Sequence, residues 1–279
     1  MQTWRQAIEG IRQIQTRKGR AAFGRFSIEG TRHLERAVRA NLPLQHIIVA
    51  DSFWNAPTPR IQALRTAIEQ RNLPVVITPD APLADLLGGR KLGAIVGVAP
   101  IPHAPRIADL IAERDNALFL LLVDVVEPGN VGAMIRTAHG LGTTACVTIG
   151  SSDAFHPKAV RTAMGSSFKL PIIQFETASA AIEPLKSAGC TLYASVAENG
   201  ALLPTVRFAE GARAILMGGE FYGLSAEIIA QCDHLLTIPM ADGIDSFSVS
   251  AAAAILLYAA RPSFHAPCGM PSGTLRVSI

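Results

Sequence analysis

The stretch VDVVEPGNVGAMIRTAHGLG, residues 123–142, sets a single arginine among small and apolar residues. An apolar run ends in Glu127-Pro128-Gly129-Asn130, where Pro and Gly turn the chain and Asn130 suits the cap of a helix beginning at Val131. Arg136 follows in that helix. Helical side chains lean toward the N-terminus, over the residue four back, and four back is Gly132. The guanidinium would then run along the helix to its start, where a fixed cation beside free N–H groups makes an anion or oxyanion site. A structural pair of Arg136 with Glu127 or Glu220 accounts for the same residue types.

Two further stretches carry chemistry. In AILMGGEFYGLS, residues 214–225, a strand runs into Gly218-Gly219 and then Glu220. Paired glycines after a strand let a ligand reach backbone amides, and a carboxylate there must be solvated or paired. Ser225 suits an N-cap, with Glu227 in the first turn behind it. In LLTIPMADGIDSFSVSAAAAILLYAARP, residues 235–262, a strand ends at Ile238-Pro239. Ser246, Ser248 and Ser250 then lead into an alanine-rich helix that stops before Pro262. Backbone groups near Ile238–Ala241 could bind an adenine edge without a charged side chain. GxGxxG, P-loop, HExxH, GxSxG and EF-hand patterns are absent from the sequence. The histidines (His33, His46, His103, His139, His156, His234, His265) are scattered and read as surface or helix-end residues rather than ligands.

All three stretches sit at strand ends, so strands must position them. Residues 1–100 read as a small α/β unit: strands at FGRFSIEG, HIIVA, PVVIT and GAIVGVA, with helices at TRHLERAVRANL (Thr31 its N-cap), RIQALRTAIEQRN and PLADLLGG. Three prolines in PIPHAPR mark a linker, taken as 101–115 with a short helix IADLIAERDN on its far side. A second α/β unit spans 116–263. Its strands are ALFLLLVDVV, TACVTIG, LPIIQF, TLYASVA, AILMG and LLTIP; its helices fall at 131–141, 157–164, 178–188, 225–231 and 248–260. Strands alternating with helices predict a mostly parallel, covered sheet, with ligands beyond the carboxyl ends of its strands. Residues 264–279 read as a tail.

Composition bounds the class. Hydrophobic residues make up 49% and charged residues 17% of the 279, which excludes a disordered chain. The net charge of +3 is unevenly spread: residues 1–39 hold nine Lys and Arg against three glutamates. That excess fits a nucleic-acid contact or an ordinary solvated face. Cys146, Cys190, Cys232 and Cys268 form no CxxC pair, which argues against zinc and any other metal site, and most of them read as buried thiols of a reducing, cytoplasmic compartment. The N-terminus lacks a signal-peptide core, and the longest apolar runs are too short to span a bilayer.

Taken together and in this order, DVVEPGNVGAMIRTAHGLG, MGGEFYGLS and IPMADGIDSFSVSAAAAILLY resemble the three motifs of the SpoU branch of the SPOUT superfamily, the TrmH-like RNA ribose 2'-O-methyltransferases. RKGRAAFGRFSIEGTRHLERAV also looks like the substrate-binding domain preceding the catalytic domain in many members. The resemblance covers roughly residues 10–262. It implies an L30e-like RNA-binding domain, then a parallel α/β catalytic domain with a C-terminal trefoil knot, an exception to the rule against threaded chains. It implies a homodimer that binds S-adenosylmethionine at Gly218, Gly219, Ile238, Met240 and Phe247. Catalysis would fall to Arg136, Asn130, Glu220 and Ser248, and RNA contact to Arg17, Lys18, Arg20, Arg25 and Arg32. Serine stands at 248 where the family pattern has asparagine, so the hydroxyl loses the amide's second donor. The implied reaction is methylation of a ribose 2'-hydroxyl in 23S ribosomal RNA. The alternatives are transfer RNA as substrate, or a non-catalytic RNA-binding homologue. Without the resemblance, a flavodoxin-like nucleotide- or phosphate-binding enzyme with an unknotted sheet fits the same elements.

Overall fold

The computed structural model describes residues 3–89, 93–244 and 246–261. Cys268, His265 and the tail 264–279 lie outside the described residues.

The first unit runs α1 (Trp4–Gln15), α2 (Arg17–Phe23), β1 (Arg25–Glu29), α3 (Thr31–Arg39), β2 (His46–Ala50), α4 (Asp51–Trp54), α5 (Pro59–Gln70), β3 (Val75–Thr78), α6 (Asp80–Leu86) and β4 (Ile95–Pro100). Its sheet has the order β1-β4-β2-β3. β4 is antiparallel to both neighbours, and β2 and β3 are parallel. The basic N-terminus thus folds as two helices. α1 opens on a capping box between Thr3 and Gln6. It buries Ala7, Ile8, Ile11 and Ile14, spaced along one helical face, against Ile48, Leu83 and Val96. Each buried isoleucine contributes about 1.5–3 kcal/mol. Thr31 is the first residue of α3 and not its cap; Gly30, at φ 91°, takes that position because its conformation suits glycine.

The second unit runs α7 (Ile107–Ala112), β5 (Leu118–Val123), α8 (Pro128–Gly140), β6 (Ala145–Ile149), α9 (Pro157–Thr162), β7 (Ile172–Phe175), α10 (Ala178–Ser187), β8 (Thr191–Ser195), β9 (Ala201–Leu202), β10 (Arg213–Met217), α11 (Ala226–Ile229), β11 (His234–Thr237) and α12 (Val249–Ala260). All pairings in its sheet, β7-β6-β5-β10-β8-β11-β9, are parallel. Every residue of β5 is buried because helices cover both faces. Leu118, Leu120 and Leu122 meet α8 and α12 residues such as Met134, Ile135 and Leu256. Phe119, Leu121 and Val123 meet Leu110 of α7 and Ile182 and Leu185 of α10. From β5 the chain steps outward to β6 and β7, then returns to place β10 and β8 on the other side. The loops after β5 and β10 therefore leave adjacent strands at the point where the winding reverses, the usual place for a ligand crevice.

The last helix comes back over the start of this arrangement. α12 packs on α8 and β10, and the buried Arg213 at the start of β10 donates from Nε to Ala260 O, 2.7 Å away, at the end of α12. The two units are joined by side chains. Arg20 pairs with Asp153, Arg161 pairs with Glu29, and Phe26 packs on Phe155 with ring centroids 4.9 Å apart.

Candidate active site

The loop after β5 is pinned at its first residue. Asp124 has φ 51°, and its Oδ1 accepts from Ser151 N at 2.8 Å, while Val125 N donates to Ser152 Oγ at 2.8 Å. α8 begins at Pro128, three residues earlier than its apolar pattern predicts, and Asn130 does not cap it. Glu127 is the cap, accepting from Gly129 N at 3.0 Å. Proline's fixed φ suits the first helical position, which the apolar periodicity does not register. The Glu127 carboxylate also meets Lys158 Nζ at 2.7 Å, and this pairing first, then the Gly129 N–H, holds it below the usual carboxylate range.

Asn130, in the first turn, turns outward instead. Its Nδ2 donates to Glu220 Oε1 at 2.8 Å, and Val126 N donates to Glu220 Oε2 at 3.2 Å. Glu220 thus ties the loop after β10 to the loop after β5. Burial pushes its carboxyl up, but the Asn130 hydrogen bond and the backbone N–H groups around it outweigh burial and hold it below its ordinary value. The loop that carries Glu220 needs its glycines. A Cβ on Gly218 would lie 2.1 Å from Gly223 C, and one on Gly219 would lie 2.4 Å from Asp124 O. Gly223 has φ 64° and closes the turn onto Gly219 O at 3.1 Å. Ser225 caps the short α11, as its sequence predicts.

Gly132 serves a different purpose from leaving a path for Arg136. A Cβ there would lie 2.2 Å from Ala159 O, so the glycine lets α8 and α9 cross in contact. Arg136 is exposed, and among the described residues it makes no hydrogen bond or ion pair. The pairing with Glu127 or Glu220 does not occur, because Lys158 and Asn130 already hold those carboxylates.

These loops meet in one cavity of about 320 Å³. Asn130, Gly218, Gly219, Glu220, Ile238, Met240, Phe247 and Ser248 all line it, so it gathers the cofactor candidates and three of the four catalytic candidates. Arg136 is outside the lining, two turns further along α8. Ser248 caps α12: its Oγ accepts from Ala251 N at 3.3 Å. Asparagine and serine are both strong N-caps, so the substitution keeps the helix start. The cavity has a wall that the sequence did not disclose, Ser195, Val196 and Ala197 at the end of β8. Those residues carry no charge and no special spacing; only the adjacency of β8 to β10 and β11 brings them in.

The five basic candidates separate. Lys18, Arg25 and Arg32 are exposed, and the exposed Arg17 donates to Gly150 O. Arg20 is a correction. It is 3% exposed, donates to Ile14 O at 2.8 Å and Gln15 O at 2.7 Å, and spends its charge on Asp153. A cation so enclosed is structural. His33 is likewise buried rather than superficial, set between Glu29 O at 3.1 Å and Arg161 O at 3.0 Å. Cys146 and Cys190 are buried as expected, and burial pushes both thiols up to about 12.

The fold and this cavity define a parallel-sheet α/β enzyme class with its site at a strand-order reversal, and comparison with known proteins gives the family. Residues 117–258 match the SpoU rRNA Methylase family, and residues 5–84 match the MRM3-like substrate binding domain. The chain belongs to the SpoU rRNA methylase family. It is similar to the 23S rRNA (guanosine(2553)-2'-O)-methyltransferase RlmP of Bacillus subtilis, 30% identical over 91% of this chain and 95% of that one. It is also similar to the 23S rRNA (uridine(2479)-2'-O)-methyltransferase of Streptomyces viridochromogenes, 28% identical over 93% and 88%. Its fold is that of the SpoU methyltransferase AviRb from Streptomyces viridochromogenes, solved in complex with the cofactor AdoMet. The TM-score is 0.78, at 24% identity over 91% of this chain and 96% of the other.

Proposed function

We propose that this protein transfers a methyl group from S-adenosylmethionine to a ribose 2'-hydroxyl of 23S ribosomal RNA, in the cytoplasm, as a homodimer with a knotted catalytic domain. One observation carries the reading: three loops distant in sequence converge on a single cavity, and the helix leaving that cavity presents Arg136 without a partner among the described residues.

The residues present fit the cofactor. The cavity lies in the size range of small-ligand sites, roughly 300–1,000 Å³. Met217, Ile238, Met240 and Phe247 offer apolar surface, and the glycines at 218 and 219 leave backbone where a Cβ could not fit. Gly218, Gly219, Ile238, Met240 and Phe247 would hold it. When bound, S-adenosylmethionine supplies a methyl group on a positively charged sulfur. Arg136 stays cationic at ordinary pH, so its task is to hold the phosphate beside the target ribose and polarise the 2'-oxygen, which eases loss of the hydroxyl proton. Asn130 and Glu220 keep the two loops in register through their hydrogen bond, and Ser248 fixes the start of α12.

The 23S target is supported by the names of the two relatives and by the matched substrate-binding domain. Lys18, Arg25 and Arg32 remain as its exposed basic contacts in the first unit. Exposed apolar side chains at Val126, Phe221, Tyr222, Ile244 and Tyr258 support the dimer, since such groups mark interaction surfaces. The return of α12 onto α8 and β10, past the loops after β10 and β11, supports the knot. The three described cysteines are unpaired, in keeping with a reducing compartment.

The test uses purified protein, tritiated S-adenosylmethionine and unmodified 23S rRNA transcribed in vitro, followed by alkaline hydrolysis. Label retained in an alkali-resistant dinucleotide is the expected result. Label on a base, or no label on the RNA, contradicts the proposal.

A further inference from the structure

A second cavity, of about 340 Å³, opens where the two units meet. α3 contributes Arg36 and Arg39. The second unit contributes His139 from α8 and Lys169 from the segment after α9. No carboxylate lines it. The acidic side chain that senses Arg39, Glu35, is held by Arg60 through hydrogen bonds of 2.6 and 2.7 Å. Arg39 and Lys169 are exposed and make no hydrogen bond or ion pair among the described residues.

The cleft is built rather than merely charged. Arg36 Nη1 donates to Met164 O at 2.7 Å, and its side chain crosses Gly165, whose φ of 88° keeps that turn tight. One guanidinium nitrogen is thereby fixed while the cation stays at the cavity wall. His139 Nδ1 lies 3.2 Å from Ser166 Oγ. Burial first, and then repulsion from Lys169, keeps that imidazole below its ordinary value, so the charge of the cleft comes from Arg36, Arg39 and Lys169. Concentrated positive charge in a concave site selects an anion.

α8 connects this cleft to the cavity described above. Asn130 lines the first and His139 the second, about 14 Å apart along the helix axis at 1.5 Å per residue. Arg136 lies between them, one turn from His139 on the same face. At this spacing along α8, a nucleotide chain with its ribose by Arg136 would bring a flanking phosphate within reach of the cleft.

We propose that Arg36, Arg39 and Lys169 form a phosphodiester-binding site that straddles the two units and seats an RNA phosphate a short way along the strand from the reacting ribose. This rests on the RNA reading above, but its test does not require methyl transfer. The probe is unmodified 23S rRNA transcribed in vitro, bound on filters over a range of salt, with wild type, Arg39→Gln/Lys169→Gln, Arg39→Lys/Lys169→Arg and Arg114→Gln. Arg114 is an exposed cation before β5 that takes no part in lining the cleft. The neutralised pair should bind about tenfold more weakly, and its log–log salt slope should fall by about one. The charge-conserving pair and Arg114→Gln should match wild type. An unchanged slope in the neutralised pair would overturn the site and leave the cleft to an acidic protein segment. An equal loss in Arg114→Gln would overturn it as well, by reducing the effect to net charge. Wild-type RNA binding without methyl transfer would instead sink the enzymatic reading and leave this site standing.

Discussion

Arg136 is the residue on which chemistry and geometry bear most directly. Its neighbours on α8 are packed: Val131, Met134, Ile135 and Ala138 are buried, and Gly132 lies against α9. The one cation of that helix is left exposed, and the carboxylates that could have neutralised it are tied to Lys158 and Asn130. A side chain held out of the fold's own network is available to substrate. Arg136→Ala should therefore lower methyl transfer by about 10²–10³-fold, while calorimetry shows S-adenosylhomocysteine binding as in wild type. Transfer at the normal rate by this variant would remove Arg136 from the account.

Elements explain why the loops arrive where they do. α12 starts at Ser248, on the rim of the cavity, and ends at Ala260, held by Arg213. Its register therefore sets the positions of Phe247 and Ser248. Ser248→Ala should cost about 1 kcal/mol in urea unfolding, whereas Ser248→Asn should stay within a few tenths; equal losses in the two would show that capping is not what the hydroxyl does. The strands and most helices were legible because fully covered parallel strands read as apolar runs. Leu118–Val123 and Arg213–Met217 show this plainly. Element boundaries were less so. The start of α8 is hidden because Pro128-Gly129 looks like a turn but also forms a helix's first turn. α1 is hard to read because Glu9-Gly10 and Arg12-Gln13 break up its four buried apolar positions. The motif loops were legible as chemistry, but the wall at Ser195–Ala197 was not, since nothing in those side chains marks it.

At the scale of the molecule, the relation between the two units rests on contacts between residues more than a hundred positions apart, which no local pattern reveals. Arg20 with Asp153 and Glu29 with Arg161 are the clearest. Removing one member of a buried pair strands the other. Arg20→Ala should lower stability by about 3–5 kcal/mol and leave the salt slope of RNA binding unchanged; a changed slope with normal stability would return Arg20 to the RNA surface. Acid should act on buried histidines, two of which, His33 and His156, belong to this junction. Burial lowers His33, His46 and His156 below their ordinary 6.5 in the folded chain. Between those folded values and 6.5 the unfolded chain binds more protons, so this stability is complete above pH 6.5 and is lost as pH falls below it. Urea midpoints should drop between pH 7 and about pH 5, and His33→Gln should flatten that drop. A midpoint independent of pH over this interval would contradict the assignment.

The most direct measurement is a calorimetric titration of S-adenosylhomocysteine into wild type and Gly218→Val. A valine side chain at 218 would collide with Gly223, where a Cβ already falls 2.1 Å from its carbonyl carbon. Saturable binding to wild type, lost in the variant while the first unit stays folded, is the predicted result. No heat of binding to wild type, or undiminished affinity in Gly218→Val, would contradict the assignment of this cavity to the methyl donor.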